Sequence, residues 1–185
     1  VKPDYLPVDF SVNTEMLGES YNSQDASFSI DYPVDAQAVD STEALSFRES
    51  IQADTNAFFK IELVDIKRSN NGMVVTISLL DSVEKDSKIL DGEYLEQLKT
   101  TFSTNAVIRN QISINKIPSI QFIVTSDEYI NIKLFLLFEL NIIQVDYFVR
   151  SNLYHEMLEQ IESSIGSISQ NNKEEKKGRK FLSWY

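Results

Sequence analysis

The chain has 185 residues, 42% of them hydrophobic and including 11 Phe and 8 Tyr, which is enough for one domain with an aromatic-rich core. Its formal net charge of −11 argues against general nucleic-acid binding, which relies on Lys and Arg displacing counterions from phosphates. It has no cysteine, which removes disulfides, thiolate metal sites and a cysteine nucleophile.

The charge is uneven. Residues 171–185 hold five Lys or Arg and two Glu, a local charge of +3, which leaves −14 on the first 170 residues. No apolar run is both long enough and free enough of charge to span a bilayer; Leu134 to Val145 comes closest and contains Glu139. A start at Val1 fits a mature or trimmed product, including a lipoprotein cut after its anchoring cysteine, whose lipid anchor would then precede the sequence. It equally fits an arbitrarily chosen start.

In chain order, residues 1–25 carry Pro3, Pro7, Gly18 and many polar residues and read as an extended lead-in that covers a sheet edge. Phe28, Ile30 and Tyr32 alternate with polar residues, giving a first strand that Pro33 stops. Leu45, Phe47 and Ile51 suggest a weaker second strand. Phe59, Ile61 and Leu63 begin a third, whose phase slips at Val64 and Ile66, as a bulge would cause. Asn70-Asn71-Gly72 is a turn signal, and Met73, Val75, Ile77 and Leu79 return as a fourth strand. After a polar loop, Asp91 is placed to cap a helix with Leu95, Leu98 and Phe102 on one face. Ile108, Ile112 and Ile114 predict a strand, Pro118 a turn, and Ile120, Phe122 and Val124 another strand.

The strongest pattern follows. Ile130, Ile132, Leu134, Leu136 and Phe138 face one way, and the other face turns apolar at Phe135 and Leu137, which predicts a strand covered on both faces at that end. Ile143, Val145, Tyr147 and Val149 make its antiparallel partner. The period then becomes helical at Tyr154, Met157, Leu158, Ile161, Ile165 and Ile168, with Ser151 or Asn152 as N-cap. Four strands, a helix, four strands and a helix make an α+β layered domain on a mostly antiparallel sheet. Residues 26–168 are its extent, and 169–185 a basic and aromatic C-terminal tail.

Candidate chemistry is sparse. His155 and Glu159 share a helix face, but two ligands are too few for a metal, and a solvated surface explains them. No Gly-x-Ser-x-Gly surrounds a serine, and the five glycines are isolated, so neither a nucleophile elbow nor a phosphate cradle is written here. Asp81, Glu84, Asp86, Asp91 and Glu93 lack the spacing and central Gly of an EF-hand loop. No catalytic, cofactor or metal residue is therefore assigned. Phe102, Phe122, Phe135, Tyr147 and Tyr154 are placed either to fill a core or to line a pocket between sheet and helix. The tail stands out: Lys173, Lys176, Lys177, Arg179 and Lys180 precede Phe181, Leu182, Trp184 and Tyr185. Lys176, Lys177, Arg179, Lys180, Phe181, Trp184 and Tyr185 are the candidate docking residues, for an acidic partner or a membrane surface. Folding back on the protein's own acidic body, or an inert end, are the alternatives.

Phe28-Ser29-Ile30-Asp31-Tyr32-Pro33 resembles the opening strand of the PsbP family, the photosystem II extrinsic proteins and their bacterial relatives. The similarity runs through the hairpin at 58–80 and the helix near 92–104 to the closing helix at Ile161-Glu162-Ser163-Ser164-Ile165. Relatives often carry Gly and Trp after the Tyr-Pro, whereas here Val34-Asp35-Ala36 follow and the only Trp is Trp184. The resemblance implies an α/β/α sandwich around an antiparallel sheet, a protein partner rather than a cofactor, and, as for many bacterial relatives, the cell envelope or periplasm. The cytoplasm is the alternative location. The resulting expectation is a non-enzymatic protein-binding or assembly module whose partner is unknown. The alternative is a carrier of an apolar small molecule held between sheet and helix.

Overall fold

Alternation along residues 130–149 can place its two apolar rows in a core only if the strands are paired in one register. A computed structural model describes residues 4–23, 28–54, 60–81, 92–102, 106–138 and 141–170. In it β9 (Tyr129–Leu137) and β10 (Ile142–Arg150) pair antiparallel, with Val145 opposite Leu134 and Asp146 opposite Lys133. The elements before them are β1 (Leu6–Pro7), β2 (Leu17–Ser23), β3 (Phe28–Pro33), β4 (Gln37–Ala38), α1 (Ser41–Asp54), β5 (Lys60–Arg68), β6 (Val74–Asp81), α2 (Tyr94–Thr101), β7 (Val107–Ile114) and β8 (Ile117–Thr125). After them come α3 (Tyr154–Gly166) and β11 (Ser169–Gln170).

The large sheet runs β1-β7-β8-β9-β10-β6-β5-β4, antiparallel except for the parallel pair β1–β7. A second, antiparallel sheet runs β11-β3-β2. On one face of the large sheet, Leu134, Val145, Tyr147 and Ile77 meet Phe28, Ile30 and Tyr32 of β3 and Met157, Ile161 and Ile165 of α3. On the other face Ile120, Phe122, Phe135 and Ile142 pack under Leu98 of α2. Helices on both faces of a mostly antiparallel sheet make the α+β fold that the pattern predicts, arranged as the α/β/α sandwich that the resemblance implies. The second face of β9 is indeed covered at its Phe135 end.

Helix α3 forms where the pattern places it. Neither Ser151 nor Asn152 caps it through a side chain: a short 3-10 turn, Ser151–Leu153, leads in, and Ser151 Oγ donates to the Ser126 carbonyl instead. Burying Met157, Ile161 and Ile165 stabilises the helix by roughly 1.5–3 kcal/mol per side chain.

Four expectations change. The weak strand at 45–51 is α1: Asp40 Oδ1 accepts from the amides of Thr42 and Glu43, each at 2.9 Å, and Asp40 with Glu43 three residues on is a capping-box start. Pro118 is the second residue of β8, not a turn. The turn is Asn115-Lys116, whose φ values of 48° and 71° suit a two-residue hairpin. Residues 4–23 contain β1, which covers part of the β7 edge as expected, and also β2, which pairs with β3. Among the tail residues, 169–170 form β11 against β3.

The phase slip in β5 is a bulge. Leu63 faces Ser78 and Asp65 faces Ile77, so Val64 is the extra residue. The bulge turns Asp65 toward β3, where the Tyr32 hydroxyl donates to its Oδ2 at 2.9 Å. Burial, helped by that carboxylate, pushes the Tyr32 hydroxyl pKa far up. The Tyr of the Tyr-Pro pair thus ties the small sheet to the large one.

Asn115 holds a left-handed backbone and donates through Nδ2 to the carbonyls of Gly166 and Ile168, at 2.9 and 2.7 Å. Asn115→Ala is expected to lose about 1–3 kcal/mol in urea unfolding, from left-handed strain and two orphaned carbonyls. Asn115→Gly, which keeps the backbone freedom, is expected to lose less.

Candidate functional site

Between α3 and the β7 edge of the large sheet lies a groove of about 480 Å³. Its floor is Ile112, Ile123 and Ile132 on one face of the sheet: Ile123 pairs with Ile132 across β8 and β9, and Ile112 lies further along β7, opposite Ser119. Its wall is Tyr154, Leu158, Ile161 and Ile165, which recur every three or four residues and so share one face of α3. Leu6, Val8 and Phe10 of the N-terminal segment close the third side. Arg109, Asn110, Gln111, Gln121 and Glu162 add a polar margin. Asn110 Nδ2 donates to Gln121 Oε1 at 2.9 Å, and Arg109 Nη2 donates to Gln111 Oε1 at 3.3 Å. Burial, and then Glu162, push the Tyr154 hydroxyl pKa up, so the phenol stays neutral.

The N-terminal segment is strapped across the groove at both ends. The Val8 amide donates to the Ser113 carbonyl at 3.1 Å. The Asn13 amide donates to Ser163 Oγ at 3.1 Å, and Asn13 Nδ2 to Glu159 Oε1 at 2.8 Å. Where the strap crosses α3, the helix carries Gly166; a Cβ there would lie 2.7 Å from Val12 Cγ2 and 3.0 Å from Phe10 Cβ. Only a residue without a side chain allows this approach.

The strap leaves the sheet edge partly open. β1 pairs only with Ile112 and Ser113, and among the described residues no strand pairs with the outer edge of Val107–Gln111. Ile108 on that edge is 55% exposed and Leu6 is 68% exposed.

The opposite face of the sheet holds a different arrangement. The rings of Tyr94, Phe122 and Phe135 meet edge to face, with centroids 5.4–5.9 Å apart. Beside them Lys133 Nζ lies 3.1 Å from Asp146 Oδ1, and Gln144 Nε2 donates to Asp146 Oδ2 at 2.6 Å. Both charged side chains are largely buried, as is Thr76, directly across from Asp146 on β6. Among the described residues, Gln144 Oε1 and Thr76 Oγ1 find no hydrogen-bond partner. Burial pushes the Tyr94 hydroxyl pKa up, and nearby Lys133 partly opposes it. The sequence shows these positions only as the polar row of two strands.

The residues expected to line a pocket are not brought together. Tyr154 lines the groove, whereas Phe122 and Phe135 belong to the opposite face. Tyr147 is fully buried, shares a hydrogen bond of 2.9 Å with Ser164 Oγ, and has its pKa raised by that burial. Phe102 follows the end of α2 and is 39% exposed. A hydrophobic core needs the large rings more than the groove does. His155 is exposed and packs on the Tyr154 ring, while Glu159 is engaged by Asn13. Among the described residues no group of three or more His, Asp or Glu is placed to hold a metal. Glu93 is exposed beside α2, and Glu84, Asp86 and Asp91 lie outside the described residues. So do the tail residues Lys176, Lys177, Arg179, Lys180, Phe181, Trp184 and Tyr185. The groove itself had a signal: Leu6, Val8, Phe10 and Val12 alternate with Pro7, Asp9, Ser11 and Asn13 inside the segment read as aperiodic.

No family model matches the sequence, and no curated protein matches it. In three dimensions it is similar to the solution structure of cyanobacterial PsbP (CyanoP) from Synechocystis sp. PCC 6803, with a TM-score of 0.53, 13% identity, and coverage of 82% of this chain and 91% of that one. The fold is PsbP-like. At that identity the likeness concerns the arrangement of elements, and no residue's role comes with it. Among the described residues of this PsbP-like fold, no helix is long and apolar enough to cross a membrane.

Two predictions follow from the geometry. Gly166→Val is expected to lift the strap from α3, read as increased hydrogen exchange at Val8 and Asn13 while the β9 and β10 amides stay protected. Asp146→Ala leaves the Lys133 ammonium buried without its carboxylate, and is expected to cost about 3–5 kcal/mol in denaturant unfolding. The double change Lys133→Met with Asp146→Leu should cost less than that single one.

Proposed function

We propose that this protein is a non-enzymatic binding or assembly module that receives an extended segment of a partner protein along the β7 edge. The observation that carries this reading is the apolar groove beside the β7 edge, where Ile108 and Leu6 are exposed and, among the described residues, no strand lies beyond Val107–Gln111. An unpaired strand edge offers a row of backbone donors and acceptors, and a partner strand added there gains affinity from them. Alternate side chains of that strand would point to the groove side, where the aliphatic floor gives selectivity. The groove's polar groups are amides, one phenol, one guanidinium and one carboxylate, which suit orientation of a ligand more than bond making. The proposed setting, the bacterial cell envelope, is taken from the resemblance to the PsbP family. A second reading, a carrier of an apolar small molecule, is favoured by the groove's volume, which falls in the range of small-ligand sites.

Native mass spectrometry of protein purified gently from its own source tests both. A second polypeptide that disappears with Ile108→Lys supports the docking module. The variant's folding stability is expected to stay within about 0.5 kcal/mol of the parent, because the changed side chain faces solvent. An excess small mass, unaffected by Ile108→Lys, supports the carrier. Bare protein from every gentle preparation, with and without cross-linking, counts against both.

A further inference from the structure

We infer that the groove's occupant in the absence of a partner is the chain's own C-terminal segment, residues 171–185. The basic run would lie on an acidic rim of α3, and Phe181, Leu182, Trp184 and Tyr185 would enter the groove. This rests on the docking reading above and adds the regulation of that site.

Charge points to this occupant. Glu162 lies in the groove margin, and the exposed Glu159 sits one step further round α3. Arg109 is the one cation among the groove's lining residues. The C-terminal segment carries the chain's concentrated positive charge, +3, against a body of −14. Apolar character points the same way: the wall and floor are aliphatic, and the segment ends in four large apolar or aromatic residues within its last five. Such residues are the usual anchors of a docked peptide.

Reach permits it. The described chain ends at Gln170, four residues beyond Gly166, and Ile165 forms one end of the groove. Extended chain from Gln170 to Phe181 spans up to about 36 Å. The wall from Ile165 to Tyr154 is only about 17 Å long at the helical rise per residue. Tethering also supplies an effective concentration of about millimolar order, so a weak contact suffices to fill the groove. A partner strand would then have to displace the segment, and high salt would assist it by screening the rim.

Trp184, the only tryptophan, reports directly on this contact in the full-length chain. Its emission is expected to be blue-shifted and protected from acrylamide. Leu158→Lys in the wall, and separately Lys176→Glu/Lys177→Glu/Arg179→Glu/Lys180→Glu in the segment, are each expected to shift it to the red and remove the protection. The second variant changes no described residue, so the test holds even if Leu158→Lys unfolds the protein. A nitroxide on Ser183→Cys, in a chain with no other cysteine, is expected to broaden the amides of Val8, Leu158 and Ile161 selectively. A Trp184 that behaves as in water overturns the inference, as does protection that neither variant removes or broadening centred elsewhere. Protection that fades on dilution assigns the contact to a second copy and overturns the intramolecular form. None of these readouts involves a partner, so their failure is distinct from failure of the docking reading.

Discussion

The register of β9 on β10 is the constraint from which the rest of this structure follows. Pairing Leu134 with Val145 and Ile132 with Tyr147 puts one continuous apolar surface under β3 and α3. A slip by one residue would present either Lys133, if β9 moves, or Asp146 and Gln144, if β10 moves, to that surface, since side chains alternate across a strand. The ion pair between Lys133 and Asp146, joined directly across the two strands, therefore acts as a key: it is satisfied in one alignment and left as two desolvated charges in its neighbours. Its worth lies in excluding other pairings rather than in adding stability over an apolar core of the same shape.

Where periodicity is strong, the fold was legible in the residues. The central hairpin, α3, the Asn70-Asn71-Gly72 turn and the bulge at Val64 all left patterns that physical reasoning reads correctly. The misses share a cause. At 45–51 an alternating pattern outweighed the Asp40 cap, although Leu45 ends 55% exposed and contributes little packing to favour a strand. Pro118 looked like a breaker, but the two residues before Ile117 had already made the turn. β1, β4 and β11 are two residues each, too short for any period to register.

The site was less legible than the fold, for a reason rooted in distance along the chain. The groove takes its three sides from residues near 8, near 112 and near 161, and each set alone looks like ordinary core or ordinary loop. Aromatic residues attracted attention because they bury most area, yet the structure spends Phe122, Phe135 and Tyr147 on packing and lines the groove largely with isoleucine, leucine and valine. The ion pair was equally hidden, since alternation shows that two residues face the same way but not that they face each other.

The strap that closes the groove joins Asn13 to Ser163 across 150 positions of sequence. During synthesis the N-terminal stretch must therefore wait for this contact until residue 163 has emerged. Contacts of such long range form late, after the loop-closure entropy of everything between them has been overcome. By the same logic they are among the first to be lost in partial opening. A two-residue parallel pairing and a few hydrogen bonds hold the strap, while the sheet beneath is stitched by long ladders. The groove can thus come ajar on its third side through a local excursion that leaves the body of the protein folded.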